Sequence, residues 1–128
     1  MEGSRAPGAV EVLLIEDDRV VRALLAEMLG NAGLHVTALP DGEGLFGLEP
    51  SLEEPNVIVT DLDLGAARRD GLEVARQARR RWPEVGVVFI TAQPARLNEH
   101  EHGERDRFVV KPFRTAQLVE AVVSLLQV

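Results

Sequence analysis

Cysteine is absent from the 128 residues, which excludes disulfides and thiolate metal centres. No apolar run approaches the length needed to span a bilayer, and the first residues carry no apolar signal core. No membrane partner is therefore expected, and the expected compartment is the cytoplasm. Basic side chains are the minority: 14 Lys and Arg stand against 21 Asp and Glu, for a net charge of −7. That balance argues against direct binding of nucleic acid. Internal repeats and low-complexity tracts are also missing. What is present is a chain of one-domain length with 45% hydrophobic residues, enough for a core rather than disorder. The acidic excess suits a site that collects carboxylates around a cation.

Residues 1–8 contain Gly, Ser and Pro and read as a loose arm, which leaves 9–128 as one domain. Within it, short β-branched runs at 10–15, 57–59, 87–90 and 108–110, with a weaker one at 35–39, alternate with helical patterns. Asp18 is placed to cap a helix over 19–30, in which Val20, Leu24 and Met28 keep a helical spacing. Asp70-Gly71 opens another, with Val74, Ala75, Ala78 and Trp82 on one stripe and Pro83 just beyond. A last helix begins at Arg114 or Thr115. The stretches 41–48 and 94–103 are shorter, the second being one or two turns or mostly loop. Strands alternating with helices imply an α/β fold with a parallel sheet covered on both faces.

The chemistry is carried by the residues at the carboxyl end of each strand. Val12-Leu-Leu-Ile15 runs into Glu16-Asp17-Asp18, Val57-Ile-Val59 runs through Thr60 into Asp61, Val87-Val-Phe-Ile90 ends at Thr91, and Phe108-Val-Val110 ends at Lys111-Pro112. In open α/β sheets the ligand crevice lies at the carboxyl ends of the strands. One rim thus receives carboxylates, a hydroxyl and an ammonium. Glu16, Asp17 and Asp61 would repel one another if bare, and a hard divalent cation such as Mg²⁺ relieves that repulsion. Lys111 offers a compact positive charge, and Thr91 a hydroxyl donor, to phosphoryl oxygens. Asp61 can then act as nucleophile and form an acyl phosphate.

The stretches Leu13-Leu-Ile-Glu-Asp-Asp18, Val57-Ile-Val-Thr-Asp-Leu-Asp63, Asp70-Gly-Leu-Glu73, Phe89-Ile-Thr-Ala92 and Val109-Val-Lys-Pro-Phe113 resemble the signature segments of response-regulator receiver domains, in order and near the family's spacing. The resemblance implies a flavodoxin-like (βα)5 sandwich of three layers, with five parallel strands in order 2-1-3-4-5. It implies Asp61 as phospho-acceptor, Glu16 and Asp17 as the acidic pair with Asp17 a direct metal ligand, and the Asp63 carbonyl as a further ligand. Mg²⁺ is the implied cofactor, with Mn²⁺ able to substitute. Thr91 and Lys111 would hold the phosphoryl group, Phe108 would stand at the aromatic switch position, and the Lys111-Pro112 bond would be cis. The implied partners are a sensor histidine kinase or phosphotransfer protein, and a downstream protein or second copy meeting the 94–128 surface. The implied role is regulatory, with self-phosphorylation and autodephosphorylation the only chemistry.

Departures from the family pattern are visible too. Gly65 stands where the family has Pro. The stretch from Asp61 to Gly71 is about two residues longer than usual, and Thr91 to Lys111 about two shorter.

Rival readings are weaker on the residues. Asp61-Leu-Asp63 resembles the paired aspartates of haloacid-dehalogenase-like phosphatases, but that pair follows the first strand rather than the third. A receiver-fold interaction module that is never phosphorylated is the other rival, and the intact acidic pair, Thr91 and Lys111 argue against it. His100 and His102 fall on different sides of a helix, with no third ligand. Arg76, Arg79, Arg80 and Arg81 read as a solvated cluster favourable to a helix dipole. In the last helix Leu118, Val122 and Leu125 supply one stripe for the core. Val119, Val123 and Leu126 make a second, which reads either as overpacking of a small domain or, in preference, as a partner or dimer surface.

Overall fold

A computed structural model describes residues 11–42, 54–62, 71–93, 95 and 103–126. The arm 1–8, most of 41–48, Asp63, Gly65, Asp70, the two histidines of 94–103 and most of that segment lie outside the described residues. The elements run β1 (Glu11–Ile15), α1 (Arg19–Asn31), β2 (His35–Leu39), β3 (Val57–Asp61), α2 (Gly71–Arg81), β4 (Gly86–Thr91), β5 (Asp106–Val110) and α3 (Thr115–Leu126). All neighbouring strands pair in parallel, in the order β2-β1-β3-β4-β5. This is the arrangement expected from the sequence.

Helix ends follow local chemistry. Asp18 caps α1: its Oδ1 accepts from the N–H groups of Val20 and Val21 at 2.9 and 3.0 Å, filling two of the donors a helix start leaves without partners. At the other end Gly33 adopts φ +90°, and the N–H groups of Gly33 and Leu34 return to the carbonyls of Gly30 and Leu29. Only glycine takes that left-handed closing turn without steric cost. At the start of α3 the Gln117 side chain reaches back to the N–H of Arg114 at 2.7 Å, half of a capping box.

Alternate strand residues feed two cores. Leu13, Ile15, Ile58, Val87 and Phe89 pack with Val74, Ala75 and Ala78 of α2 and with Trp82. Val12, Leu14, Val57, Val59, Val88, Ile90 and Val109 pack with Leu25 and Leu29 of α1 and Leu118, Val122 and Leu125 of α3. Every residue of β3 and β4 is buried, so the site-bearing strand ends project from a rigid sheet rather than from loops alone.

One expectation is corrected. Arg79 is not part of a solvated cluster. Its guanidinium pairs with the buried Asp106 carboxylate at 2.8 Å and donates to the carbonyls of Val85 and Arg105. The pair ties the end of α2 to the start of β5. Arg76, by contrast, is exposed and pairs with Glu73 on its own helix.

Candidate functional site

The strand order decides which chain ends meet. β3 lies in the middle, with β1 on one side and β4 then β5 on the other. Asp61 is the last residue of β3 and only 7% exposed. Lys111, just after β5, reaches past β4 and donates from Nζ to Asp61 Oδ2 at 3.1 Å. Its own backbone is anchored on the way, since Lys111 N–H bonds the Thr91 carbonyl at 2.8 Å. The Lys111–Pro112 peptide is cis.

On the other flank, Glu16 follows β1 and is 3% exposed. Burial pushes its carboxyl up from an ordinary 4.5 to about 7. The N–H of Asp18, which donates to Glu16 Oε2 at 3.0 Å, pulls the other way. The negative charge of Asp61 and a hydrogen bond with the Asp17 side chain raise it further, and Lys111 lowers it. Asp17 itself is exposed. Asp17, Asp61 and Lys111 therefore all act on Glu16, and Lys111 pairs with Asp61. Glu16 also helps hold the start of α1, and its carbonyl accepts from Arg22 at 2.8 Å.

Thr91 and Phe108 stand differently. Thr91 is buried at the end of β4, but its hydroxyl is engaged by its own loop, accepting from Gln93 N–H at 2.9 Å. Phe108 is half-buried, with its ring stacked on Phe89 at a centroid distance of 5.2 Å and an interplanar angle of 19°. The register Phe89↔Phe108 places the two rings side by side.

Among the described residues no three carboxylate, imidazole or thiolate groups converge closely enough to hold a metal by themselves. Mg²⁺ does not require it, because that ion keeps several waters and takes only one or two carboxylates. A buried carboxyl that resists ionisation beside a second buried carboxylate fits a hard cation: its charge would stabilise both in ionised form. The donors are all oxygen, as Mg²⁺ prefers.

The Arg79–Asp106 pair was not foreseen from the sequence, and no residue spacing could have revealed it, because strand β5 brings the two together.

Comparison with known proteins agrees with this geometry. Residues 12–123 match the family model described as "Response regulator receiver domain". Response regulator receiver protein CpdR of Brucella abortus is 36% identical over 118 residues, covering 90% of this chain and 95% of that protein. Response regulator MprA of Mycolicibacterium vanbaalenii is 32% identical over 121 residues, covering 92% of this chain but 51% of MprA, so the chain spans about half of that relative. Among solved structures, a response regulator receiver protein from Sinorhizobium medicae superposes with a TM-score of 0.82 at 30% identity, covering 94% of this chain and 97% of that one. The Thermotoga maritima response regulator TrrA, in complex with Mg²⁺-BeF, gives 0.78 at 25% identity, covering 91% and 98%. With its fold, its strand-end residues and these relatives in agreement, the chain belongs to the response-regulator receiver domain family of two-component signalling.

Proposed function

We propose that this receiver is phosphorylated on Asp61 by a phosphohistidine of a sensor kinase or phosphotransfer protein. The Lys111–Asp61 contact at 3.1 Å carries the reading: a buried carboxylate held by an ammonium from a distant strand end is costly to build and is what an in-line phosphoryl acceptor needs. An Asp61 carboxylate oxygen attacks phosphorus, the P–N bond to histidine breaks, and an acyl phosphate forms. Water later attacks the phosphorus, the P–O bond to Asp61 breaks, and inorganic phosphate leaves, restoring the carboxylate. Glu16, Asp17, Asp61 and the Asp63 carbonyl are the groups that would hold Mg²⁺, or Mn²⁺ in its place. That ion supplies charge neutralisation for the phosphoryl oxygens. Lys111 neutralises a further oxygen, and the Thr91 hydroxyl leaves Gln93 to donate to the new charge. The protein's own contribution is positioning rather than covalent work. Its role is regulatory, and the cytoplasm is the compartment this reading assigns.

The output surface is the 94–128 region. A groove of about 480 Å³ lies between β5 and α3, lined by Phe108, Val109, Val110, Gln117, Glu120 and Ala121, and Val119, Val123 and Leu126 of the same helix are half-buried or exposed. A downstream protein or a second copy of the chain would meet it there.

The test is incubation with acetyl phosphate and Mg²⁺, with intact mass and peptide mapping as the readout. One phosphoryl group on Asp61 is expected, with none without metal. An unlabelled protein would favour the rival, an interaction module of the same fold that works without phosphorylation.

A further inference from the structure

An acceptor carboxylate is aimed only as well as the main chain that carries it. The main chain of Asp61 and Leu62 is gripped from several sides. Leu62 N–H donates to the Ile90 carbonyl at 2.8 Å, and the Leu62 carbonyl accepts from Gly71 N–H at 2.9 Å. The Asp61 carbonyl accepts from the Thr60 hydroxyl at 3.1 Å. Gly71, the buried first residue of α2, stands closest of all. A Cβ there would lie 2.6 Å from the Asp61 carbonyl oxygen and 2.9 Å from Leu62 Cα. Both are main-chain atoms with no flexible end to move. Gly71 has no positive φ, so the demand at this position is for space and not for backbone freedom. A side chain would have to displace either α2 or the end of β3. Val74, Ala75 and Ala78 anchor α2 in the core, so the displacement falls on Asp61, the terminal residue of its strand.

We propose that Gly71 and Thr60 are positioning residues for phosphoryl transfer, clamping the Asp61 and Leu62 main chain and thereby setting the direction of the acceptor carboxylate. This rests on the reading of Asp61 as acceptor. Neither residue touches the transferred group; both act through the backbone. A displacement near 1 Å at a reacting group costs roughly 100-fold in rate.

The experiment compares wild type, Gly71→Ala, Thr60→Val and Ala78→Gly. Ala78→Gly loosens α2 in the same core without approaching Asp61. Phosphorylation by acetyl phosphate with Mg²⁺ is timed by intact mass, and Mg²⁺ affinity is read from backbone amide shifts in the absence of phosphodonor. Gly71→Ala should be phosphorylated roughly 100-fold more slowly and bind Mg²⁺ several-fold more weakly, Thr60→Val should be several-fold slower, and Ala78→Gly should stay within about twofold of wild type. If Gly71→Ala does not fold, the Thr60→Val rate decides. Wild-type rates and Mg²⁺ affinity in the variants overturn the clamp, as does an equal loss in Ala78→Gly. An unlabelled wild type overturns the acceptor reading instead, and the clamp with it.

Discussion

At the scale of single residues the site is a balance of charges set by burial. Glu16 gives it a pH dependence. Its carboxyl titrates near 7 in the folded chain and near 4.5 in the unfolded one, so the folded state binds the extra proton between those values. The stability this contributes is fully present below 4.5 and is lost as pH rises through 7. Metal-free protein should therefore lose stability between pH 5 and 8, by up to about 3 kcal/mol from this group. Glu16→Gln should flatten that slope, as thermal melts across the range will show. Asp61→Asn should abolish phosphate incorporation. By removing one negative charge beside Glu16 it should leave stability equal or higher, by about 0–1 kcal/mol. A labelled Asp61→Asn protein, with Asp17 or Asp63 modified, would mean a different nucleophile. The placement of these residues was legible in the sequence because each ends or directly follows a strand, and strand ends in such sheets converge on one rim. Side-chain states were not legible. That Thr91 turns to Gln93, and that Phe108 lies on Phe89, depends on neighbours that only the register of β4 and β5 supplies.

At the scale of elements, legibility tracked burial. β3 and β4 are buried on both faces and read as unbroken apolar runs. β2 is an edge strand with three exposed residues, and its signal was correspondingly weak. β5 starts at polar Asp106 and Arg107, earlier than the apolar run at 108–110 suggests, because Asp106 is neutralised by Arg79. That pair is also testable. Asp106 accepts from Gly103 N–H as well, so Asp106→Leu leaves both partners unsatisfied and should cost about 3 kcal/mol in urea unfolding. Adding Arg79→Met should recover part of the loss. The cap at the start of α1 is a smaller effect: Asp18→Ala should cost about 1 kcal/mol.

For the whole molecule, the proposed switch would have to carry the charge of a phosphoryl group on Asp61 to the β5–α3 face. A modification shifts an equilibrium only by its differential stabilisation of two states. Phe108 already lies against Phe89, and phenylalanine carries no hydroxyl to satisfy there. The difference in partner binding between the two forms should therefore be modest. Beryllofluoride with Mg²⁺ should shift amide resonances from β5 through α3, including Val119, Val123 and Leu126, and Thr91→Ala should remove those shifts. Changes confined to the loops after Ile15 and Asp61 would place the output elsewhere.

The reach of Lys111 across the sheet has a consequence for the order in which the protein is made. Asp61 and its ammonium partner are 50 residues apart in the chain, and β5 must dock beside β4 before they meet. A nascent chain that has emerged from the ribosome only through β4 holds the carboxylates without the lysine. It has the Asp61 carboxylate but not the ammonium that pairs with it. The charge balance of the rim is thus completed only with the last strand, when the Lys111 ammonium reaches Asp61.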